Sequence, residues 1–281
     1  MRASAAVAGT LHLVATPIGN LGDVTARAVE VLRAAAFVVC EDTRHSGPWL
    51  RSLGVQAPLL SLPAFAEKER IGGIVARLEG GEDGALVTDA GSPGISDPGE
   101  ALVTEAVARG IRVVPVPGPS AVIAALSASG LPSGRFHFLG FLPRSGPDRA
   151  AVLEEVAGLR ATLVIYESAR RLGETLVDLE KALGARRAVV ARELTKVHEE
   201  FVRGTLSELA KRYGGEPPLG EVVVLVEGRT EAVRWTEAEV KAALEAGLAR
   251  GERLKSLSTE LARQAGWTSA EVYRLGARRT R

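Results

Sequence analysis

The chain has 281 residues, a length that favours two domains and leaves ample apolar material for a core. Its formal net charge of +1 at pH 7 gives no global basic field, so any contact with nucleic acid requires a local patch. The single cysteine, Cys40, excludes an internal disulfide and a cysteine-based zinc cluster, and it fits a reducing cytoplasm.

Membrane and metal-binding proteins are also disfavoured by the sequence. No apolar run reaches the roughly eighteen residues of a membrane span, and the segment before Gly9 is too weakly charged for a signal peptide. The four histidines, His12, His45, His137 and His198, show no metal-ligand spacing. We therefore expect a cytoplasmic protein with no membrane contact and no metal site.

Strand-like and helical runs alternate through the first half of the chain. The predicted elements are a strand Leu11–Ala15, a helix Thr25–Ala35, a strand Phe37–Glu41, a helix Glu67–Leu78, a strand Ala85–Thr88, a helix after Pro98, a strand from Ile111 and a helix Ala121–Ala128. This order predicts a largely parallel sheet with helices on both faces. Turn residues from Gly130 to Gly134 then interrupt the alternation and predict a domain boundary.

Two loops rich in glycine and proline follow strands of this half. The first, Ala90–Gly99, holds three glycines and two prolines, so its backbone can approach a ligand closely. The second, Pro117–Ser120, precedes a helix whose N-terminus would offer free N–H groups and a positive dipole end. Either loop alone could be an ordinary turn between a strand and a helix, but the two in succession predict a ligand site.

The second half of the chain begins a new series of elements. These are a strand Phe136–Leu142, a helix Pro147–Ala157, a strand Ala161–Tyr166, a helix Leu172–Leu183, and strands Ala188–Arg192, Glu200–Gly204 and Val222–Glu227. A hairpin expected around Lys196–Glu199 predicts an α+β domain with a mixed sheet. The predicted organisation is an N-terminal extension at 1–10, an α/β domain at 11–132, an α+β domain at 133–229 and a helical tail at 230–281.

The tail from Thr236 onward carries only helical periodicity. Gly266–Ser269 predicts a turn and an N-cap between two short helices, as in a helix-turn-helix module. Basic residues outnumber acidic ones from position 250 onward; they are Arg250, Arg253, Lys255, Arg263, Arg274, Arg278, Arg279 and Arg281. They could form a solvated helical face or a phosphate-binding patch, and the sequence leaves both open.

Two common nucleotide-binding motifs are missing. The first turn after a strand, Ala15–Asp23, lacks the G-x-G-x-x-G pattern, which disfavours a nicotinamide dehydrogenase, and the chain has no P-loop Lys-Ser/Thr pair. What remains are polar clusters at the ends of strands: Glu41–Arg44, Glu167–Arg171 and Arg192–Lys196. The chemistry therefore has to come from these clusters and the two loops.

Six segments in order resemble a known family. They are Thr16–Leu21, Glu41–Arg44, Ser92–Gly99, Pro117–Ser120, Tyr166–Ser168 and Arg192–Lys196. They closely resemble motifs of the ribosomal RNA small subunit methyltransferases I, a family within the tetrapyrrole methylase superfamily. The resemblance spans roughly residues 11–228, and the basic tail is similar to the helix-turn-helix domain of that family.

The resemblance implies a fold and an activity. The fold would be α/β, of the class III methyltransferase type, with two α/β domains, a cofactor cleft between them and a small helical C-terminal module. The activity would be transfer of a methyl group from S-adenosylmethionine to the ribose 2′-hydroxyl of cytidine 1402, in the customary rRNA numbering, in the decoding region of 16S rRNA. The implied partners are 16S rRNA or the small ribosomal subunit, and a second copy in a homodimer.

The same resemblance implies which residues hold the cofactor. They are Pro17, Asp89, Ala90, Gly91, Ser92, Ile95, Ser120, Ala121, Leu194 and Thr195, with the chain near Gly220 beside the adenine.

Residue chemistry suggests candidates for the proton transfer that accompanies methylation of a hydroxyl. The predicted catalytic residues are Glu41, Asp42, Arg44, Glu193 and Lys196, and Glu167 is a further candidate. One of the carboxylates would accept the proton or orient the hydroxyl, while Arg44 and Lys196 would anchor phosphates. Salt bridges between domains or between the subunits of a dimer are the alternative role for Glu41, Arg44, Glu193 and Lys196.

Two other functions stay open at this point. The chain could methylate a small tetrapyrrole precursor, as in the wider superfamily, although the basic tail has no obvious use in such an enzyme. It could also be a non-catalytic rRNA-binding assembly factor, which binding of the cofactor would argue against.

Overall fold

The structure, a computed structural model, describes residues 8–63, 67–230 and 235–277. They form two compact units, one that ends at Gly228 and one that begins at Arg229. Of the predicted N-terminal extension, residues 1–7 lie outside the described ranges, and Thr10 already belongs to the first strand.

The first unit contains a five-stranded parallel sheet, which confirms the arrangement that the alternating elements predict. The strands are β1 (Thr10–Val14), β2 (Phe37–Cys40), β3 (Leu59–Ser61), β4 (Gly84–Leu86) and β5 (Arg112–Val116). Their order across the sheet is β3-β2-β4-β1-β5, and each neighbouring pair is parallel. All four residues of β2 are buried, as expected of a strand that is covered on both faces.

Helices cover both faces of this sheet. The helices of this half are α1 (Ala26–Ala34), α2 (Thr43–Ser52), α3 (Glu67–Glu79), α4 (Glu100–Ala108) and α5 (Ala121–Ser129). On one face, residues of α3 and α4 share an apolar cluster with Phe37. On the other face, Leu32 of α1 and Leu50 of α2 pack with Val38. Because the strands are parallel, the loops after them meet at one edge of the sheet.

A second five-stranded sheet lies in the same unit. Its strands are β6 (Phe136–Phe141), β7 (Thr162–Ser168), β8 (Arg187–Arg192), β9 (Glu200–Thr205) and β10 (Glu221–Val226), in the order β6-β7-β10-β8-β9. β6 and β7 are parallel and the other pairs are antiparallel, so the sheet is mixed, and β8 and β9 form the predicted hairpin. The helices α6 (Gly146–Ala157), α7 (Leu172–Leu183) and α8 (Leu206–Arg212) cover one face.

Helix α5 connects the two sheets. Val122 and Leu126 of this helix share an apolar cluster with Val164 and Leu225 of the second sheet. Arg203 of β9 donates hydrogen bonds to the carbonyl oxygens of residues 129 and 128, at 3.0 and 2.6 Å, at the end of α5. The helix therefore packs on the second sheet, although it follows a strand of the first. The predicted domain boundary after residue 132 stays a prediction.

The second unit is a small helical module with its own core. It contains α9 (Glu237–Ala249), α10 (Leu254–Ala265) and α11 (Ser269–Ala277), and its buried core includes Val240, Leu257 and Val272. Gly266 ends α10 in the left-handed conformation, with φ of 66°, so the predicted turn between two short helices is confirmed. Arg278, Arg279, Arg281 and the side chain of Arg263 lie outside the described part of the chain. Within the described ranges, none of the helices has the length and apolar character that a membrane crossing demands.

Three short elements do not appear among the sequence predictions. They are α2, β3 and α8. α2 contains Gly47 and Pro48, two residues that disfavour a helix interior, but Asp42 caps its first turn and Leu50 is buried in the core. β3 has three residues and α8 has seven, which is too short for a clear period, although the capping box of Thr205 and Glu208 marks where α8 begins.

Candidate active site

The loops after β1 and β4 are held together by backbone hydrogen bonds. The Thr16 N–H donates to the Gly91 carbonyl at 2.8 Å, and the Gly91 N–H donates to the Thr16 carbonyl at 3.1 Å. The Thr16 hydroxyl also donates to the carbonyl of Thr88 at 3.0 Å. Gly91 has φ of 80°, a conformation that L side chains rarely adopt. These contacts fix the first predicted ligand loop against the end of β1.

The second predicted loop ends at the N-terminus of α5. Ser120 is the N-cap residue, as predicted, and its side chain makes no capping hydrogen bond. The N–H groups of the first turn of α5 therefore lack the usual side-chain acceptor, and they are suited to a polar group of a ligand. Ser120 and Ala121 both line a large cavity.

This cavity, of about 690 Å³, lies between the loops of the first sheet and the strand ends of the second. Its size is typical of a small-molecule site. The first sheet and α5 contribute Ile18, Ala90, Gly91, Ser92, Ile95, Ser96, Asp97, Ser120 and Ala121. The second sheet and its loops contribute Phe141, Tyr166, Glu167, Ser168, Ala169, Arg170, Leu194, Pro217, Pro218, Leu219, Gly220, Glu221, Val222 and Val223.

Seven of the ten predicted cofactor residues line this cavity. They are Ala90, Gly91, Ser92, Ile95, Ser120, Ala121 and Leu194. The other three lie outside its wall. Pro17 is buried beside Thr16, Asp89 is exposed and contacts His45, and Thr195 turns toward Asn20. Their cofactor contacts stay predictions.

Thr195 instead connects the hairpin of the second sheet to the first βα loop. Its hydroxyl accepts a hydrogen bond of 3.0 Å from the Asn20 N–H, and its own N–H donates to Glu199 at 2.7 Å. Glu193 and Thr195 both have positive φ, at 51° and 66°, which is uncommon for residues other than glycine. Such strained turns are frequent at functional sites, and this one presents Leu194 to the cavity.

Three of the predicted catalytic residues lie together after β2, outside the cavity wall. Asp42 accepts hydrogen bonds from the Arg44 guanidinium at 2.7 and 3.0 Å, and this lowers the pKa of Asp42 to about 2. The pKa of the Glu41 carboxyl is raised by partial burial, with smaller contributions from Asp89 and Asp42. Arg44 is exposed, so this pair faces solvent, where a phosphate could replace or join the carboxylate.

The other two predicted catalytic residues form an ion pair in the second sheet. Lys196 Nζ lies 3.0 Å from Glu193 Oε1 and 3.0 Å from Glu221 Oε2. The hydrogen bond from Lys196 lowers the pKa of Glu193, helped by the Glu221 N–H. Burial opposes the charge on Lys196, but Glu193 and Glu221 together raise its pKa. Both groups therefore stay charged at neutral pH. Their salt bridge lies within the second sheet and its loops, and not between domains as the alternative from the sequence has it.

Glu167 is buried and held by several donors. Its Oε1 accepts from the Ser168 N–H at 2.8 Å, and its Oε2 accepts from the Thr175 hydroxyl at 2.6 Å. Arg171 lies 3.3 Å from Oε2, and Arg149 donates to the Thr175 hydroxyl at 2.9 Å. This network joins the end of β7 to α6 and α7. Glu167 is thereby fixed in the cavity wall.

Asp97 and Tyr166 are cavity residues that the sequence did not single out. Asp97 lies in the loop after β4, and burial raises its pKa to about 6, with Glu41 and Asp89 adding to the shift and the Thr88 hydroxyl opposing it. Tyr166 lies close enough that Asp97 raises its pKa, in addition to the larger effect of burial. Asp97 sits within the Ser92–Gly99 motif, and an acidic residue in a glycine-rich ligand loop is the signal that could have found it.

The residues of the cavity fit a cofactor with a nucleoside and an amino-acid part. Ile18, Leu194 and Val223 offer an apolar surface for a purine, while Gly91 and the start of α5 offer backbone N–H groups for polar atoms. Gly91 and Gly220, both with positive φ, leave room for close approach to the backbone. Among the described residues, no group of three or more His, Cys, Asp or Glu side chains is arranged to hold a metal ion.

The chain is similar to proteins of a known family. Residues 10–210 match the family of tetrapyrrole (corrin/porphyrin) methylases. The chain is 50% identical, over 82% of its length and 86% of the relative, to a ribosomal RNA small subunit methyltransferase I from Xylella fastidiosa. It is 46% identical to the protein of that name from Mesorhizobium japonicum, over 94% of this chain and 90% of the relative.

A solved structure shares the fold at low sequence identity. Uroporphyrin-III C-methyl transferase from Thermus thermophilus, in complex with S-adenyl homocysteine, superposes with a TM-score of 0.56 at 20% identity. The match covers 77% of this chain and 97% of that one. At 20% identity, the likeness to this structure concerns the fold alone.

Proposed function

The chain belongs to the tetrapyrrole methylase family and, within it, to the ribosomal RNA small subunit methyltransferases I, and we propose that it methylates the 2′-oxygen of a cytidine ribose in 16S rRNA. It is an S-adenosylmethionine-dependent methyltransferase that acts on rRNA. The finer proposal is that the target is cytidine 1402 in the decoding region. Because its substrate is ribosomal RNA, we also propose that the protein acts in the cytoplasm.

One observation carries the proposal: a single cavity joins the glycine loops of the parallel sheet to the strand ends of the mixed sheet. A methyl transfer needs two molecules held in line with water excluded. The loop side of the cavity, with Gly91 and Ser120, suits the cofactor. The opposite side carries Phe141, whose ring is largely exposed and lies 5.6 Å from that of Tyr166. Such an aromatic surface suits an unstacked base of a single-stranded RNA segment.

The cofactor, when bound, supplies a methyl group on a positively charged sulfur. The chain has to orient the ribose hydroxyl, hold the RNA backbone and remove one proton. We propose that Pro17, Asp89 and Thr195 support the cofactor loops from behind the cavity wall. Glu41 and Asp42 are proposed to orient the ribose hydroxyl from the β2 side.

Phosphate anchoring is the role we propose for the basic members of the predicted site. Arg44 is exposed beside Asp42, so its guanidinium can contact an RNA phosphate without any rearrangement of the apolar core. Lys196 is held by Glu193 and Glu221, so its role is proposed to be electrostatic, at the edge of the cavity. Both assignments are proposals, as is the homodimer.

Methyl transfer from radiolabelled S-adenosylmethionine tests the function. The substrates are small ribosomal subunits and naked 16S rRNA, both from cells that lack this gene, and the labelled nucleoside is then mapped. We expect label on the 2′-oxygen of one decoding-region cytidine. Label on a different nucleoside would refute the cytidine assignment, and no label on either substrate despite bound cofactor would favour a small-molecule substrate.

A further inference from the structure

Three carboxylates line the cavity, and they differ in their hydrogen-bonding partners. Glu167 is held by the Ser168 N–H and the Thr175 hydroxyl. Glu221 is three-quarters exposed and paired with Lys196. Asp97 has no ion pair with a cation among the described residues, and the groups that interact with its charge are the Thr88 hydroxyl, Glu41, Asp89 and Tyr166. Of the three, Asp97 is the carboxylate that keeps an oxygen available to a ligand.

The backbone around Asp97 is held in an unusual conformation. Ser96, the residue before it, has φ of 63°, and Gly94 and Gly99 on either side have φ of 77° and 123°. Positive φ at a residue other than glycine costs energy and persists only where the surroundings enforce it. The Ser96 hydroxyl lies 3.3 Å from the position that a Cβ on Gly140 would occupy, so this loop reaches the second sheet. Asp97 is therefore placed where the two halves of the cavity meet.

We propose that Asp97 is the general base that accepts the proton of the substrate hydroxyl. This inference rests on the proposed function, because the hydroxyl is that of the ribose. In the step, a bond forms between the 2′-oxygen and the methyl carbon while the bond between sulfur and that carbon breaks. The proton of the hydroxyl passes to a carboxylate oxygen of Asp97 and then leaves to solvent.

The charges around Asp97 suit this role. Glu41 and Asp89 face it from the ends of β2 and β4, Tyr166 faces it from β7, and Glu167, Arg170 and Glu221 line the same cavity. Burial and the two acidic neighbours raise the pKa of Asp97 to about 6. A base with a pKa near the working pH is charged at neutral pH and is more basic than an ordinary aspartate.

The test compares Asp97→Asn with a matched acidic control in the same segment. Glu100→Gln removes an exposed carboxylate from the first turn of α4, outside the cavity. Single-turnover methyl transfer to small ribosomal subunits is measured between pH 5 and 9. We expect the wild-type rate to fall about tenfold per pH unit below about pH 6, as Asp97 is protonated. Asp97→Asn should lower the rate about 10²–10⁴-fold and should abolish this fall in rate below about pH 6. Glu100→Gln should retain the wild-type rate and its fall at acidic pH.

Two further readouts separate a base from a structural residue. Binding of S-adenosylhomocysteine, measured by calorimetry, should be unchanged within a few fold in Asp97→Asn. In ¹³C spectra of protein labelled at aspartate carboxyls, one resonance that titrates near pH 6 should be missing from that variant. Asp97→Glu retains a carboxylate at a shifted position. It should therefore be faster than Asp97→Asn and should again lose activity at acidic pH.

The outcomes distinguish this inference from the proposed function. Wild-type methylation of the cytidine with an unchanged rate and pH profile in Asp97→Asn would overturn the inference and leave the function intact. Loss of S-adenosylhomocysteine binding in Asp97→Asn would also overturn it, because the residue would then serve cofactor binding. No methylation of rRNA by the wild-type protein would overturn the function and, with it, the role of Asp97.

Discussion

Gly220 has a positive φ and lies against the side chain of Glu193, and both features favour glycine at this position. Its φ is 95°, and a Cβ at this residue would lie 2.2 Å from Oε1 of Glu193. That carboxylate also binds Lys196 and the N–H of Glu221. The missing side chain at residue 220 thus lets the cavity wall close over the ion pair.

Gly220→Ala should therefore destabilise the protein and weaken cofactor binding. The new methyl group has to displace Glu193 or the loop, and the positive φ adds strain, so we expect a loss of about 1–3 kcal/mol in the free energy of unfolding. Urea denaturation and calorimetry with S-adenosylhomocysteine measure the two effects. Gly215→Ala is the control in the same loop, because a Cβ there meets nothing within 4 Å, and its effect should stay within about 0.5 kcal/mol. Equal effects of the two variants would contradict this account of Gly220.

Arg149 is the buried cation behind the cavity wall. It donates to Asp178 at 2.8 Å, to the Thr175 hydroxyl at 2.9 Å and to the Pro143 carbonyl at 3.1 Å. Because Thr175 in turn donates to Glu167, the guanidinium supports the orientation of that carboxylate through one hydroxyl. A side chain that does not line this cavity thus acts on the geometry of its wall.

Arg149→Met should cost about 1–3 kcal/mol in the free energy of unfolding, since it removes one buried and two partly buried hydrogen bonds of a charged group while methionine replaces the apolar stem. Asp178 is partly exposed and regains water, which limits the cost. The matched control is Arg109→Met, which removes exposed pairs with Glu105 and Glu79 and should change the free energy of unfolding little, because solvent screens such pairs. Urea unfolding measures the free energy of unfolding of both variants. An equal loss in the two would show that the buried hydrogen bonds of Arg149 do not stabilise the protein more than exposed ion pairs do.

The site is only partly predictable from the sequence at this scale. Glycine and proline mark the two ligand loops because backbone conformation depends on local residue chemistry, and seven of the ten predicted cofactor residues do line the cavity. The environment of Asp97 is different, because it arises when a loop of the first sheet meets β7 of the second. Likewise, the network of Glu167 includes Arg149 of α6, which meets Thr175 only because α6 packs against α7. Such long-range packing leaves no local pattern.

At the scale of elements, glycines within helices have opposite roles. In α9, a Cβ on Gly247 would lie 2.6 Å from the buried Leu257 of α10, so close helix contact requires glycine there. In α3, a Cβ on Gly73 meets nothing within 4 Å. Gly247 therefore allows α9 and α10 to pack closely, whereas Gly73 only lowers the helix propensity of α3.

Alanine at these two glycines should change stability in opposite directions. Gly247→Ala overpacks the α9–α10 contact and should destabilise the helical unit by about 1–3 kcal/mol, less the helix propensity that alanine adds. Gly73→Ala should stabilise the first unit by about 0.5–1 kcal/mol. Tryptophan fluorescence during urea unfolding separates the units, because Trp235 and Trp267 lie in the second and Trp49 in the first. Stabilisation by both variants would show that the contact with Leu257 relaxes freely.

The order and type of the longer elements follow from the sequence, but the short ones need tertiary context. α3 and α7 run for three turns with a repeating apolar face, and their predicted bounds differ from the structure by at most one residue. α2 forms despite Gly47 and Pro48 because Leu50 packs under β2 and Asp42 caps the first turn. Helix propensity alone does not predict α2, because burial of Leu50 outweighs the unfavourable propensity of Gly47 and Pro48.

For the whole molecule, the division into two units separates two kinds of chemistry. The first unit contains the entire cavity, and the second has a separate apolar core built from its own three helices. The second unit also carries the basic residues for which the sequence leaves open a phosphate-binding patch or a solvated face, among them the exposed Arg250, Arg253 and Lys255. Cofactor binding and RNA affinity should therefore be separable.

Removal of the chain after Gly228 should leave S-adenosylhomocysteine affinity within about twofold and weaken rRNA binding, because every cavity residue is retained while the basic helices are removed. For each phosphate that is no longer neutralised, the slope of log K against log salt should become shallower by about 0.7–0.9, so filter binding across a salt series reveals how many phosphates the tail binds. Full-length protein with Arg253→Gln and Lys255→Gln keeps the helical core and should show a smaller change of the same sign. An equal loss of both affinities on truncation would contradict a modular tail. An unchanged salt slope would instead assign the basic residues to a solvated helical face and leave phosphate binding to the first unit.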